Sequence, residues 1–246
     1  MDCSPEPAET PHKNWTDRIQ AVLEIILVSG LISSFLAYLP FSILPGWSTG
    51  LLLNNATYVP LYLLLESGIT LLFTAMILKA RGEDLHGLGL CLDQWKRNVV
   101  IGLLVVPFLF LINSAVNLLF RVYLPRYYTE RNPLTESIGS PQQLLLFIFS
   151  ALIAGGIKEE LQRAFILNRF RRYLGGAGVG LVLWSLAFGA GHYVQGAQGI
   201  TAAAVYGLIF GIIYLASGNL IAPIIAHGAY DTLALLGYWF TSGRFK

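Results

Sequence analysis

The sequence has little charge and few cysteines. Only 12% of its 246 residues are Asp, Glu, Lys or Arg, and 55% are hydrophobic, whereas a soluble domain carries roughly 25% charged residues. The net charge of +2 comes without a basic run, which argues against a nucleic-acid partner. Two cysteines are too few for a disulfide framework or a cysteine-rich metal site. The composition therefore predicts an all-α, polytopic transmembrane helical bundle whose main partner is the lipid bilayer.

Seven apolar segments are long enough to span a bilayer, which takes about 20 residues. A further half-spanning helix around 134–150 would raise the number to eight. We expect a single transmembrane domain over residues 20–240, preceded by a polar tail, residues 1–19, that lacks the features of a cleaved signal peptide. The seven segments cover residues 20–42, 57–80, 98–124, 142–170, 176–194, 199–216 and 219–240.

The distribution of Lys and Arg predicts the orientation. The loop 79–97 and the turn near 169–173 are both basic, and seven spans place them on the same side. Because positive loops favour the cytoplasm, we expect a cytoplasmic N-terminus, with the bacterial inner membrane as the location. Some basic residues conflict with this assignment because they fall on the other side: Arg121, Arg126, Arg131, Arg244 and Lys246.

Three groups of ionisable residues lie within the late apolar segments. A charge at bilayer depth costs at least about 2.5–3.5 kcal/mol, so such residues are usually functional. Carboxylates and imidazoles are also the groups that transfer protons and activate water. The three groups are Glu159-Glu160-Leu161-Gln162-Arg163, His192 at the end of Phe188-Gly-Ala-Gly, and His227-Gly-Ala-Tyr-Asp231.

The helical spacing within these groups predicts specific pairs. Arg163 is at i+4 from Glu159 and at i+3 from Glu160, so it can pair with one carboxylate and leave the other free. Two carboxylates in different surroundings suit acid and base roles. His227 and Asp231 are one turn apart, so that the carboxylate can fix the tautomer of the ring.

Simpler explanations exist for several of these residues. The Glu pair would also fit a solvated helix end, and His192 would fit a packing role beside Phe188, one turn earlier. Glu24 and Glu66, the embedded carboxylates of the early segments, are expected to form structural pairs, with support of the site or a place on the substrate path as the alternative for Glu66.

The ordered set of motifs resembles the CAAX-protease and bacteriocin-processing (CPBP, or Abi) family of intramembrane proteases. That family carries Glu-Glu-x-x-x-Arg, Phe-x-x-x-His and His-x-x-x-Asn/Asp on separate transmembrane helices. Phe188 and His192 match the second motif, and His227 and Asp231 match the Asp form of the third. The resemblance covers roughly residues 140–240.

The first motif departs from the family pattern. Two residues separate Glu160 from Arg163, where the family has three. If Arg163 is aligned, Glu159 takes the position of the second glutamate and Lys158 that of the first. If the Glu pair is aligned, Arg163 is displaced by one residue and Glu159 is the leading candidate for the base.

The resemblance implies hydrolysis of a peptide bond in or near the bilayer. A glutamate and His192 would activate a water molecule, and His227 with its partner would stabilise the oxyanion. Because an ionised Asp231 would repel an oxyanion, we expect it to orient His227 or to be protonated. Two alternatives stay open for the cofactor, none or a divalent metal: Glu159, His192 and His227 could supply three zinc ligands with water in the fourth position, although the sequence has no His-Glu-x-x-His motif.

Two other functions fit parts of the sequence. Embedded Glu, His and Asp also form proton relays in transporters, but the inverted repeats typical of transporters are absent. A non-catalytic immunity or scaffold protein would account for the displaced Arg163. For the protease, the expected substrate is a prenylated peptide, a bacteriocin leader or a membrane-protein segment. Nothing in the sequence specifies an oligomeric state.

Overall fold

The computed structural model describes residues 14–43, 48, 50, 52, 54–130 and 132–243. These residues form helices and connecting turns, with no β-strand among them, which confirms the all-α prediction. The tail residues 1–13 and three of the conflicting basic residues, Arg131, Arg244 and Lys246, lie outside the described residues.

Ten α-helices can be followed through the described part of the chain, with one π-helical segment between the sixth and the seventh. Short 3₁₀ turns at His86–Leu88, Pro125–Tyr127 and Tyr193–Gln195 complete the connections. The helices are α1 (Trp15–Val28), α2 (Leu31–Ser42), α3 (Tyr58–Arg81), α4 (Trp95–Tyr123), α5 (Pro133–Glu136), α6 (Pro141–Ala151), the π segment (Leu152–Glu159), α7 (Glu160–Tyr173), α8 (Ala177–Gly191), α9 (Gly196–Ser217) and α10 (Ile221–Thr241).

Each of the seven predicted apolar segments coincides with a helix or a helical rod. Four stretches are long and apolar enough to cross a membrane: Trp15–Ser42, Tyr58–Arg81, Trp95–Tyr123 and Tyr193–Ser217. The first contains a break, because Gly30 between α1 and α2 has a φ of +95°. The region around 134–150 is not a separate span. It contains the short α5 and then α6, which runs on through the π segment into α7.

One end of the bundle is held together by ion pairs between α1, α3 and α7. Glu24 pairs with Arg81 at 2.8 Å and with Arg169 at 2.6 Å. Glu83 pairs with Arg169 at 2.8 Å and with Arg172 at 3.0 Å. The two basic loops therefore lie at the same end of the molecule, as seven spans require, and Glu24 forms a structural pair as predicted.

Small residues bring the late helices close together. A Cβ on Gly207 would lie 3.1 Å from Ser185, and one on Gly211 would collide with Leu181, so α9 packs tightly on α8. Helix α10 packs against α4 on one side and against the π segment on the other. Close approach through small residues is typical of membrane helices, and it brings the three motif-bearing elements into contact.

Candidate active site

The π segment ends at Glu159, immediately before α7 begins with Glu160. π-helical turns are rare and occur frequently at functional sites. A Cβ on Gly155, within this segment, would lie 2.5 Å from Asp231 Oδ2 and 3.2 Å from His227 Nε2. The glycine therefore allows α10 to bring both side chains against the π segment.

Glu160 connects the first motif to the third. Its Oε1 accepts a hydrogen bond from His227 Nδ1 at 2.7 Å, and its Oε2 contacts Arg163 Nη1. The side chain of Glu160 has no exposed surface and that of Arg163 is 1% exposed. A carboxylate at Nδ1 fixes the ring orientation and leaves Nε2 as the nitrogen that faces the rest of the site.

Aromatic rings surround the Arg163 guanidinium and the His227 ring. The guanidinium carbon lies 5.1 Å from the Phe188 ring centre and 5.4 Å from that of Phe210. The Phe210 ring stacks on the His227 imidazole with centroids 4.6 Å apart. Phe210 carried no signal in the sequence, because an apolar residue in an apolar helix gives no indication of what it contacts.

Two further carboxylates approach Nε2 of His227. Glu159 Oε2 lies 3.8 Å away and Asp231 Oδ2 lies 3.6 Å away. Both distances exceed the 2.7–3.2 Å range of a direct hydrogen bond, and at such separations a bridging water is the contact to consider. The sequence predicts that Asp231 orients His227 or is protonated; in the structure Asp231 makes no direct hydrogen bond to the ring, and the hydrogen bond to Nδ1 comes from Glu160 on another helix.

His192 ends α8 beside these groups. Its Nδ1 donates to the Phe188 carbonyl oxygen at 2.8 Å, and its ring lies 4.6 Å from the Phe188 ring. The packing role beside Phe188 is therefore present. The imidazole is also near enough to Glu159 and Asp231 to interact electrostatically with both.

The accessibility of these side chains differs in a graded way. Glu160 is fully enclosed, His227 is 9% exposed, Glu159 is 17% exposed and Asp231 is 29% exposed. Glu159 and Asp231 can therefore meet a water molecule or a peptide, whereas Glu160 cannot without rearrangement.

The fit of the suggested zinc ligands can be tested on this geometry. Within the described ranges, no three His, Cys, Asp or Glu side chains form a group that could hold a metal ion. Glu159 and His227 face each other, but His192 does not complete a three-ligand set with them. These residues do not fit a preformed zinc centre in this conformation.

A comparison with family models adds an independent observation. Residues 140–233 match the family described as "Rce1-like: Type II CAAX prenyl endopeptidase Rce1-like". The resemblance to CAAX proteases is confirmed. The matched CAAX-protease-like segment contains all three motifs, and the helices that it spans include the π segment, α7, α8, α9 and most of α10. No curated protein and no solved structure matches the chain.

The match and the helices together assign the chain to a broad class. Its apolar helices make it an integral membrane protein, and its segment 140–233 is similar to a family of CAAX prenyl endopeptidases.

Proposed function

We propose that the chain is an intramembrane endopeptidase that hydrolyses a peptide bond of a membrane-associated substrate. The observation that carries the proposal is the meeting of Glu159 and Asp231 at Nε2 of His227, with Glu160 bound to the other ring nitrogen. The family match supports the same reaction class.

Glu159 is the proposed base. Of the two adjacent glutamates it is the accessible one, and its Oε2 faces the space beside His227 Nε2. Glu160 is enclosed by Arg163 and the His227 ring, so its proposed role is to position the imidazole.

His227 is the proposed oxyanion donor. In this role the ring is an imidazolium, in which both nitrogens carry protons, and three carboxylates lie around it. Nδ1–H then donates to Glu160, and Nε2–H is free to donate to the substrate carbonyl oxygen. A donor aimed at a developing oxyanion in a water-poor site provides strong transition-state stabilisation.

The proposed reaction has two steps. Glu159 takes a proton from water, the water oxygen forms a bond to the carbonyl carbon, and the carbonyl electron pair moves to the oxygen that His227 stabilises. That electron pair then reforms the carbonyl, the carbon–nitrogen bond breaks, and Glu159 returns the proton to the leaving nitrogen. His192 Nε2, whose partner nitrogen is held by the Phe188 carbonyl, is proposed to accept a hydrogen bond from the attacking water.

The test is cleavage of peptides by the purified chain in detergent. We expect the chain to hydrolyse a farnesylated C-terminal peptide, and the unprenylated peptide serves as the comparison. In Glu159→Gln we expect the hydrolysis rate to fall by about 10²–10⁴-fold, the range that general base catalysis contributes. The matched control is Asp17→Asn, which removes a carboxylate in the first turn of α1 and should leave the rate unchanged. An inactive wild-type chain on a panel that also includes a membrane-protein segment would overturn the proposal in favour of a non-catalytic scaffold. A fully active Glu159→Gln would show that Glu159 is not the base.

The same peptide-cleavage assay also tests whether the activity depends on a metal ion. Because the proposed steps use only Glu159, His192 and His227 around a water, we expect activity to survive dialysis against a chelator. A loss that zinc restores would show that these side chains rearrange into a metal site.

A further inference from the structure

A buried lysine lies directly behind the proposed base. Lys158 is the residue before Glu159, and its side chain is 8% exposed. Its Nζ is 2.9 Å from Glu66 Oε2 on α3 and 3.6 Å from Glu159 Oε1. Lys158 therefore bridges Glu66, which lies outside the family-matched residues 140–233, to Glu159, which lies within them.

Glu66 is itself held from its other oxygen. Oε1 accepts hydrogen bonds from Ser33 Oγ and Thr70 Oγ1, both at 2.9 Å, and these two hydroxyls lie 2.7 Å apart. The three side chains are almost completely buried. With both oxygens bound, Glu66 is a rigid anchor for the ammonium group of Lys158.

The geometry divides the Glu159 carboxylate between two neighbours. Lys158 faces Oε1, whereas His227 Nε2 faces Oε2. The lysine therefore holds the oxygen that is turned away from His227 and leaves the other one directed at the proposed water.

Stability alone does not explain this pair. Desolvation of two ions offsets much of their attraction, and well-packed apolar replacements of a buried ion pair are often neutral or stabilising. Lys158 also contacts Glu159, the proposed base, so its buried charge can orient that carboxylate in addition to pairing with Glu66.

We propose that Lys158 is a positioning residue for Glu159, anchored from α3 by Glu66 with Ser33 and Thr70. This inference rests on the proposed function, because it assumes that Glu159 is the base. In the substrate-bound enzyme, Lys158 keeps Oε1 in place while Oε2 exchanges a proton with the water.

The experiment separates positioning from folding by removing both partners of the ion pair. Lys158→Met alone leaves Glu66 buried and unpaired, so this variant is expected to unfold at a lower temperature in detergent. The double variant Lys158→Met/Glu66→Gln removes both charges and should recover most of the thermal stability. We nevertheless expect its kcat to fall by about a hundredfold, the cost of a misplaced catalytic group, with little change in KM.

Two controls complete the design. Lys158→Arg keeps the cation and should retain more activity than Lys158→Met. Arg81→Gln breaks an ion pair of the remote cluster around Glu24 and should lower stability without lowering kcat.

The outcomes distinguish this inference from the proposed function. A stable double variant with wild-type kcat, alongside an inactive Glu159→Gln, would overturn the role of Lys158 and leave the peptidase intact. If Glu159→Gln is fully active, the proposed base is wrong, and the peptidase mechanism fails first.

Discussion

His227 is contacted by carboxylates on both ring nitrogens. Glu160 binds Nδ1 from within the protein, whereas Glu159 and Asp231 approach Nε2 from the accessible side. The two ring nitrogens have different partners because of where the carboxylates lie in the chain. Glu160 is the first residue of α7 and contacts Arg163, whereas Asp231 lies one turn beyond His227 on α10. A single imidazole can therefore be oriented by one carboxylate and act beside another.

Asp231→Asn tests the role of the most exposed carboxylate. Because Glu160 already orients His227, we expect the amide to preserve the local contacts and to keep kcat within about tenfold of wild type, roughly 1.4 kcal/mol in activation free energy. The measurement is kcat and KM on the farnesylated peptide, with thermal unfolding as the check on folding. A near-total loss in a stable variant would mean that the charge of Asp231 is itself required.

The π segment determines how the first motif meets the third. It carries Gly155 and Gly156 on the side of α10, where Gly156 comes close to Gly228, so both helices use glycine at the contact. The segment then passes directly into α7, which presents Glu160 and Arg163 to the interior. The junction of the two helix types falls between Glu159 and Glu160, so that only Glu160 shares a regular α-helix with Arg163.

Gly155→Ala is expected to damage the site more than the fold. The added methyl group would meet Asp231 and His227, and overpacking of this kind costs about 1–3 kcal/mol. Displacing both groups should lower kcat by about a hundredfold. Circular dichroism, thermal unfolding and peptide cleavage would separate the two effects.

Gly178→Ala, on α8, is the matched control, because a Cβ there would have no neighbour within 4 Å. Wild-type activity in Gly155→Ala would contradict the close approach of α10 to the π segment.

In the whole molecule, ion pairs lie at one end of the bundle, whereas the proposed site lies in the interior of the bundle. Arg169 is completely buried between Glu24 and Glu83, which ties α7 to α1 and to the end of α3. Many large apolar side chains on α1, α3 and α4 are exposed, as expected for helices whose outer faces contact lipid. The basic loops lie together at the paired end, which we propose to be cytoplasmic because positive loops favour that side.

Site-directed labelling tests this orientation. In a cysteine-free background, Glu130→Cys lies in the connection between α4 and α5, and Lys96→Cys lies at the start of α4. We expect a membrane-impermeant maleimide to label Glu130→Cys in intact bacterial cells and to label Lys96→Cys only after lysis. The reverse pattern would place the N-terminus outside.

Helix positions were largely predictable from the sequence, whereas the pairing of charges was not. Long apolar runs specify spanning helices because the bilayer leaves few other ways to satisfy the backbone. The spacing of Glu159, Glu160 and Arg163 allowed either glutamate to pair with the arginine. Only the packing of α10 against the π segment, with the hydrogen bond from His227 to Glu160, places Glu160 beside Arg163 in the interior and leaves Glu159 accessible.

The sequence by itself determined that this is a helical membrane protein with motifs similar to those of CAAX proteases, since apolar length and local spacing are properties of the chain alone. The tertiary structure decided which nitrogen of His227 faces which carboxylate, the position of Phe210 over that ring, and the bridge from Glu66 through Lys158 to Glu159. Those contacts join residues far apart in the chain, and their distances depend on how closely glycine-bearing helices pack.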